Sequence, residues 1–143
     1  MKRFYFGKNG KLVRDKIAEL TISQKHGVKT RNLNKDVIPG ELLKKLPEEI
    51  RELVKAFDEG GAEEEKKELA DVLTLIRSYV KERGFDMTEI EEIVKDKATK
   101  RGGFKDGLII EYVDLDPKGD DYEFWLNHFR SDPGQYIEEK LND

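Results

Sequence analysis

The chain has 143 residues, a size typical of one domain, and 41% of them are charged while 36% are hydrophobic. The net charge of −4 argues against a general nucleic-acid binder, and the absence of cysteine excludes disulfides and thiolate chemistry. Two histidines are too few for a histidine-based zinc site, and no apolar run approaches the roughly 18 residues of a membrane span. The N-terminus lacks a signal peptide's apolar stretch, so a cytoplasmic protein is expected.

The N-terminal third predicts one short strand and one helix. Residues 3–6 are mostly aromatic and predict an edge strand, which is followed by a turn at Asn9 and Gly10. After Lys11 the apolar residues recur at spacings of three and four, which predicts a first helix that Gly27 would end.

A second amphipathic helix is predicted after Pro39 and Gly40. Its apolar stripe consists of Leu43, Leu46, Ile50, Leu53, Val54 and Phe57. Pro47 lies inside this stripe, so we expect it to kink the helix or to restart it.

Two more helices follow the Gly-Gly pair at 60–61. The third is predicted over about 62–83, with Gly84 at its end, and the fourth begins with Thr88 as its N-cap and stops at the Gly-Gly pair at 102–103.

The C-terminal part predicts a strand and a short helix. Residues 107–116 are rich in β-branched and aromatic side chains, which favour a strand, and the apolar density after Asp121 favours a docked helix. The predicted fold is therefore all-α, a bundle of four helices with a small β element and a packed C-terminal extension. We expect one domain over 1–143, with its core at about 11–113 and the extension at 117–143.

Two pairs of acids lie on the second and third helices. Glu49 and Glu52 are three residues apart, as are Glu68 and Asp71, so each pair shares a helix surface next to the apolar stripe. Antiparallel packing of the two helices would bring the four carboxylates together, and their repulsion would require a cation between them. Hard oxygen ligands favour magnesium, or else manganese. Solvated faces of a chain with 31 acids show the same spacing without any function, as in Glu89 and Glu92.

Four segments in order resemble one known family. EEIREL at 48–53 and KELADVLTLI at 67–76 are similar to the paired metal-binding helices of the MazG-like nucleoside triphosphate pyrophosphohydrolases. KLVRDKI at 11–17 and KDKATKRGGF at 95–104 resemble a subgroup of small MazG-like proteins. The resemblance extends over about 11–113, and it departs from the usual pattern at Pro47 and at Ala18, where the subgroup has a proline.

The resemblance implies an all-α enzyme that hydrolyses a nucleoside triphosphate to the monophosphate and pyrophosphate. Its role would be removal of unwanted or damaged nucleotides, or control of a nucleotide pool. The resemblance implies that Glu49, Glu52, Glu68 and Asp71 bind magnesium. One of these four acids, such as Glu49, or the neighbouring Glu48 would also orient the attacking water. It also implies a homo-oligomer, a dimer or tetramer, with active sites near the subunit interface.

Basic residues are candidates for binding the triphosphate. Lys97, Lys100 and Arg101 at the end of the fourth helix are predicted to hold the β- and γ-phosphates, and Arg14 and Lys16 to assist them. The helix dipole alone also favours bases at a helix C-terminus, and Arg14 with Asp15 would make a structural ion pair.

Two other functions stay open at this point. Phosphoribosyl-ATP pyrophosphohydrolase of histidine biosynthesis shares the fold and the acids of the MazG-like family. The segment KLVRDKI nevertheless favours the subgroup of small MazG-like proteins. A non-catalytic helical module that binds a nucleotide or a protein is the other alternative, and the loss of one of the four acids would have favoured it. All four acids are present.

Overall fold

A computed structural model describes residues 1–131 and shows only helices as regular elements there. The all-α prediction is therefore confirmed for this part of the chain. The chain divides into two compact units, Met1–Arg101 and a second that begins at Gly102. The five α-helices are α1 Ile17–Ser23, α2 Ile38–Lys55, α3 Ala62–Glu82, α4 Met87–Arg101 and α5 Tyr122–Ser131.

An antiparallel hairpin of α2 and α3 forms the centre of the first unit. A π-helical turn, Ala56–Gly60, extends α2, and Gly61 reverses the chain with φ +77°, a conformation that glycine adopts without a steric cost. The buried apolar side chains lie between the two helices, at one end of α3 and in the π turn, and they are Leu42, Ala56, Val72, Leu75 and Val80. The apolar core of the described residues is therefore small.

Pro47 does not interrupt α2, so of the two predicted outcomes, a kink or a restart, the restart is wrong and the kink stays a prediction. The helix continues from Ile38 to Lys55 around the proline. Proline removes one backbone donor from the helical ladder, but the side chains on both sides of it stay packed, with Leu42 and Glu49 buried. The remaining hydrogen bonds and this packing keep the two halves in one helix.

The ends of the other helices partly match the sequence predictions. Gly84 follows α3 with φ +67°, as predicted. The cap of α4 is Asp86 rather than Thr88, because the Asp86 side chain accepts a hydrogen bond from the Thr88 backbone N–H at 2.8 Å. The first helix begins at Ile17 rather than near Lys11, and it ends at Ser23, before Gly27.

Neither predicted strand forms within residues 1–131. Residues 3–6 and 107–116 have suitable side chains, but a strand also needs a neighbouring strand for its backbone hydrogen bonds. No such neighbour exists in the described residues, and Leu108, Ile109 and Ile110 are exposed.

The four-helix bundle is not confirmed within this one chain. α1 and α4 contain no buried residue, whereas α2 and α3 pack closely along their length. The predicted C-terminal helix is present as α5, which carries an edge-to-face contact between Phe124 and Trp125. The end of the predicted extension, 132–143, lies outside the described residues.

Candidate functional site

Three carboxylates meet between α2 and α3. One oxygen from each of Glu49, Glu68 and Asp71 lies within 4.8 Å of the other two. Glu49 is only 6% exposed because it lies seven residues after Leu42 and seven before Ala56, on the stripe of α2 that faces α3. The repulsion of three acids held this close must be compensated by positive charge.

Of the three acids, Glu68 has the least positive charge next to it. Its Oε2 is shielded from solvent and has no hydrogen-bond partner among residues 1–131. Desolvation raises the pKa of this carboxyl above its ordinary value, and the negative charges of Glu52, Asp71 and Glu49 raise it further. A cation bound to this shielded carboxylate oxygen would supply the partner that it lacks.

Glu52, the fourth predicted ligand, does not belong to the close group. A separation of three residues turns it about 60° away from Glu49 around the axis of α2. It is still near enough for its charge to raise the pKa of Glu68. The structure thus brings three of the four predicted acids together and leaves Glu52 at their edge.

Two cations neutralise part of the group. Lys45 Nζ lies 2.8 Å from Glu49 Oε1, and the Lys45 side chain is only 18% exposed. The Arg14 guanidinium donates to Asp71 Oδ1, and it also lies 3.4 Å from Thr74 Oγ1. Lys45 was missed by the sequence analysis, although its four-residue spacing from Glu49 is that of an intrahelical ion pair.

Glu48 is held by a different partner, Lys11, whose ammonium donates to Glu48 Oε1. This hydrogen bond lowers the pKa of Glu48, and the contact raises the pKa of Lys11. Glu48 therefore stays ionised, and it is a weak proton acceptor but a good hydrogen-bond acceptor. Lys11 was also missed, since 37 residues separate it from Glu48 and no local pattern links them.

Among the predicted phosphate-binding residues, the structure brings only Arg14 into contact with the acids. Lys100 pairs with Asp96 on its own helix at 2.8 Å. Lys16, Lys97 and Arg101 form no ion pair with any acid of the described chain. The assignment of these bases to phosphate therefore stays a prediction.

The donors fit a hard divalent cation. All members of the group offer carboxylate oxygens, and none is a histidine or a cysteine, which suits magnesium or manganese better than zinc or copper. The unpartnered Glu68 Oε2 supports the same fit.

Residues 39–103 match the family model described as MazG nucleotide pyrophosphohydrolase domain. This segment contains α3, α4 and nearly all of α2, together with Glu48, Glu49, Glu52, Glu68 and Asp71. The predicted resemblance is thus confirmed for this segment at the level of the family. No curated protein and no solved structure matches the chain. The helices of the described residues are each too short or too polar to cross a membrane.

Proposed function

We propose that the protein hydrolyses a nucleoside triphosphate to the monophosphate and pyrophosphate with magnesium, because residues 39–103 match the model of the MazG nucleotide pyrophosphohydrolase domain. The observation that carries this proposal is the close group of Glu49, Glu68 and Asp71, with its shielded, unpartnered oxygen. Manganese would replace magnesium as a second hard cation. The proposed role is removal of unwanted nucleotides in the cytoplasm.

In this proposal the acids have two tasks. Glu49, Glu68 and Asp71 would hold the magnesium, and Glu52 would complete the ligand set from the edge of the group. When bound, magnesium polarises phosphate oxygens and lowers the pKa of water. Glu48 or Glu49 would accept a hydrogen bond from the attacking water and orient it toward the α-phosphorus. The water oxygen would bond to the α-phosphorus as the bond from that phosphorus to the bridging oxygen breaks, pyrophosphate would leave, and the proton of the water would pass to solvent.

The basic residues would bind the part of the substrate that leaves. The β- and γ-phosphates carry most of the substrate's negative charge, and arginine and lysine compensate it at short range. The proposed set is Arg14, Lys16, Lys97, Lys100 and Arg101. Arg14 has the strongest support because its guanidinium already lies at the acidic group.

The test is a panel of nucleotides assayed for pyrophosphate and phosphate separately, with and without magnesium. The panel should contain ribo- and deoxyribonucleoside triphosphates and phosphoribosyl-ATP. We expect magnesium-dependent release of pyrophosphate together with the monophosphate. Release of single phosphate, or no release from any substrate, would contradict the proposal. If phosphoribosyl-ATP were the one substrate cleaved, the protein would instead be a phosphoribosyl-ATP pyrophosphohydrolase of histidine biosynthesis.

We also propose that the chain forms a homo-oligomer, a dimer or a tetramer, through the apolar side of the α2–α3 hairpin. Beside its buried stripe each helix carries a second apolar stripe that is exposed, and these stripes consist of Leu43, Ile50, Val54 and Phe57 on α2 and Leu69, Leu73 and Ile76 on α3. In an antiparallel pair both stripes point to the same side of the hairpin. Two such hairpins packed face to face would give a four-helix bundle.

Replacing Leu73 with glutamate should test this interface. We expect the apparent mass in solution to fall to that of the monomer and the melting temperature to drop, because the charge would have to be buried between subunits. Light scattering coupled to size-exclusion chromatography measures the mass. Lys81→Glu is the control on the polar surface of the same helix, and a Leu73→Glu protein with the parent's oligomeric mass would exclude this interface.

A further inference from the structure

The segment before α1 lies across the polar side of the α2–α3 hairpin. Residues 1–16 form no helix or strand, and two side chains attach this segment to the hairpin. Lys11 binds Glu48 of α2, and Arg14 binds Asp71 and Thr74 of α3. The segment thus places a guanidinium directly on one of the three clustered carboxylates.

The charges at the group explain why Arg14 is there. Glu49 is neutralised by Lys45, and Asp71 by Arg14, while Glu68 has no cation within ion-pair distance among the described residues. Without Arg14, Asp71 and Glu68 would both be uncompensated within 4.8 Å of each other. Arg14 therefore reduces the negative charge of the group when no metal is bound.

The two cations differ in how easily they can leave. Lys45 is on the same helix as Glu49 and is largely buried, so it stays close to its acid. The Arg14 side chain is 57% exposed, and its hydrogen bonds within residues 1–131 are the two to α3. Its departure needs only the movement of a coil segment, and an exposed ion pair of this kind is weak.

We propose that Arg14 acts as a placeholder for the divalent cation: it neutralises Asp71 in the metal-free protein and leaves when the cation binds, which frees the Arg14 end of the segment from α3 while Lys11 stays on Glu48. This inference rests on the proposed function, because it takes Asp71 as a metal ligand. A divalent cation and a guanidinium on the same carboxylate repel each other at short range. The released guanidinium is then free to bind substrate phosphate.

The first test is magnesium binding without nucleotide, measured by calorimetry. If Arg14 competes with the metal, Arg14→Gln should bind magnesium about two- to sixfold more tightly than the parent, as expected for removal of a weak competing ion pair. Lys8→Gln removes the same charge from the same segment but from a side chain without a contact on the acids. It should change the affinity much less.

The second test is amide hydrogen exchange of the segment with and without magnesium, followed at Ile17, whose N–H donates to the Arg14 carbonyl at 3.0 Å. The proposal expects faster exchange in this segment when magnesium is present. If the parent binds magnesium while the segment becomes more protected, and Arg14→Gln binds magnesium more weakly, then Arg14 stays on Asp71 as a support for the metal and the placeholder role is wrong. That result leaves the proposed hydrolysis intact. Failure of both proteins to bind magnesium overturns the metal assignment and the placeholder together.

Discussion

Replacing Glu49 with glutamine should reduce kcat/KM for pyrophosphate release by at least about 100-fold. Loss of residues that only orient metal ligands already costs about ten- to a hundredfold, so loss of a proposed ligand should reach the upper end of this range. Glutamine has the size of glutamate but lacks the negative charge and one of the two acceptor oxygens, which weakens both the binding of the metal and the hydrogen bond from the attacking water. The measurement is steady-state hydrolysis of the best nucleotide at saturating magnesium.

The Glu49→Gln protein should remain folded. The variant leaves Lys45 without its main partner, but Glu48 Oε2 lies 3.8 Å from Lys45 Nζ and can take its place. We therefore expect the far-ultraviolet circular dichroism to be unchanged and the melting temperature to fall by only a few degrees. These two measurements separate a catalytic loss from unfolding.

Glu89→Gln is the matched control for this prediction. Glu89 is an exposed acid in the first turn of α4, and the same substitution there should leave hydrolysis at the parental rate. If Glu49→Gln and the control are equally active, the group of acids between α2 and α3 is not the site of the reaction.

The helices of the hairpin could be predicted because their signals are local. Apolar residues at spacings of three and four determine α2 and α3, and Gly61 and Gly84 mark the points where the chain must turn. The same periodicity places Glu49, Glu68 and Asp71 beside the apolar stripes. Local spacing alone is therefore enough to predict where most of the acidic group lies.

The sequence did not separate Glu52 from the other acids. Spacing in the sequence gives the angle between Glu49 and Glu52 but not which of the two faces the neighbouring helix. That choice depends on how α2 rotates against α3, and the rotation is set by the buried contacts of Leu42, Val72 and Leu75. Tertiary packing thus decides which acid becomes central.

The contacts of the N-terminal segment had no local signal either. Arg14 and Asp71 are 57 residues apart in the chain, so only the folded structure shows that they meet. The predicted strand at 107–116 does not form for a related reason. Its composition describes side chains suited to a sheet, but a strand forms only where another backbone segment offers hydrogen bonds.

Glutamine at position 68 should make the protein more stable in the absence of metal and insensitive to magnesium. The substitution removes a shielded charge without a partner, together with its repulsion from Asp71 and Glu49. We expect the melting temperature of the metal-free protein to rise by a few degrees. Magnesium should raise the melting temperature of the parent but not that of Glu68→Gln, because a ligand that binds only the folded state stabilises it by mass action.

The raised pKa of Glu68 adds a dependence on pH with a definite sign. Folding disfavours the charged form, so the destabilisation is absent below the ordinary pKa of glutamate and is complete above the raised pKa of the folded state. Between these two values the metal-free parent should lose stability as the pH rises, while the increase in melting temperature with magnesium should grow. Both trends should disappear in Glu68→Gln and persist in Glu65→Gln, an acid one turn earlier on α3. A Glu68→Gln protein that melts below the parent without metal would show that Glu68 does not strain the fold. A Glu68→Gln protein that keeps the full response to magnesium would show that Glu68 does not bind the cation.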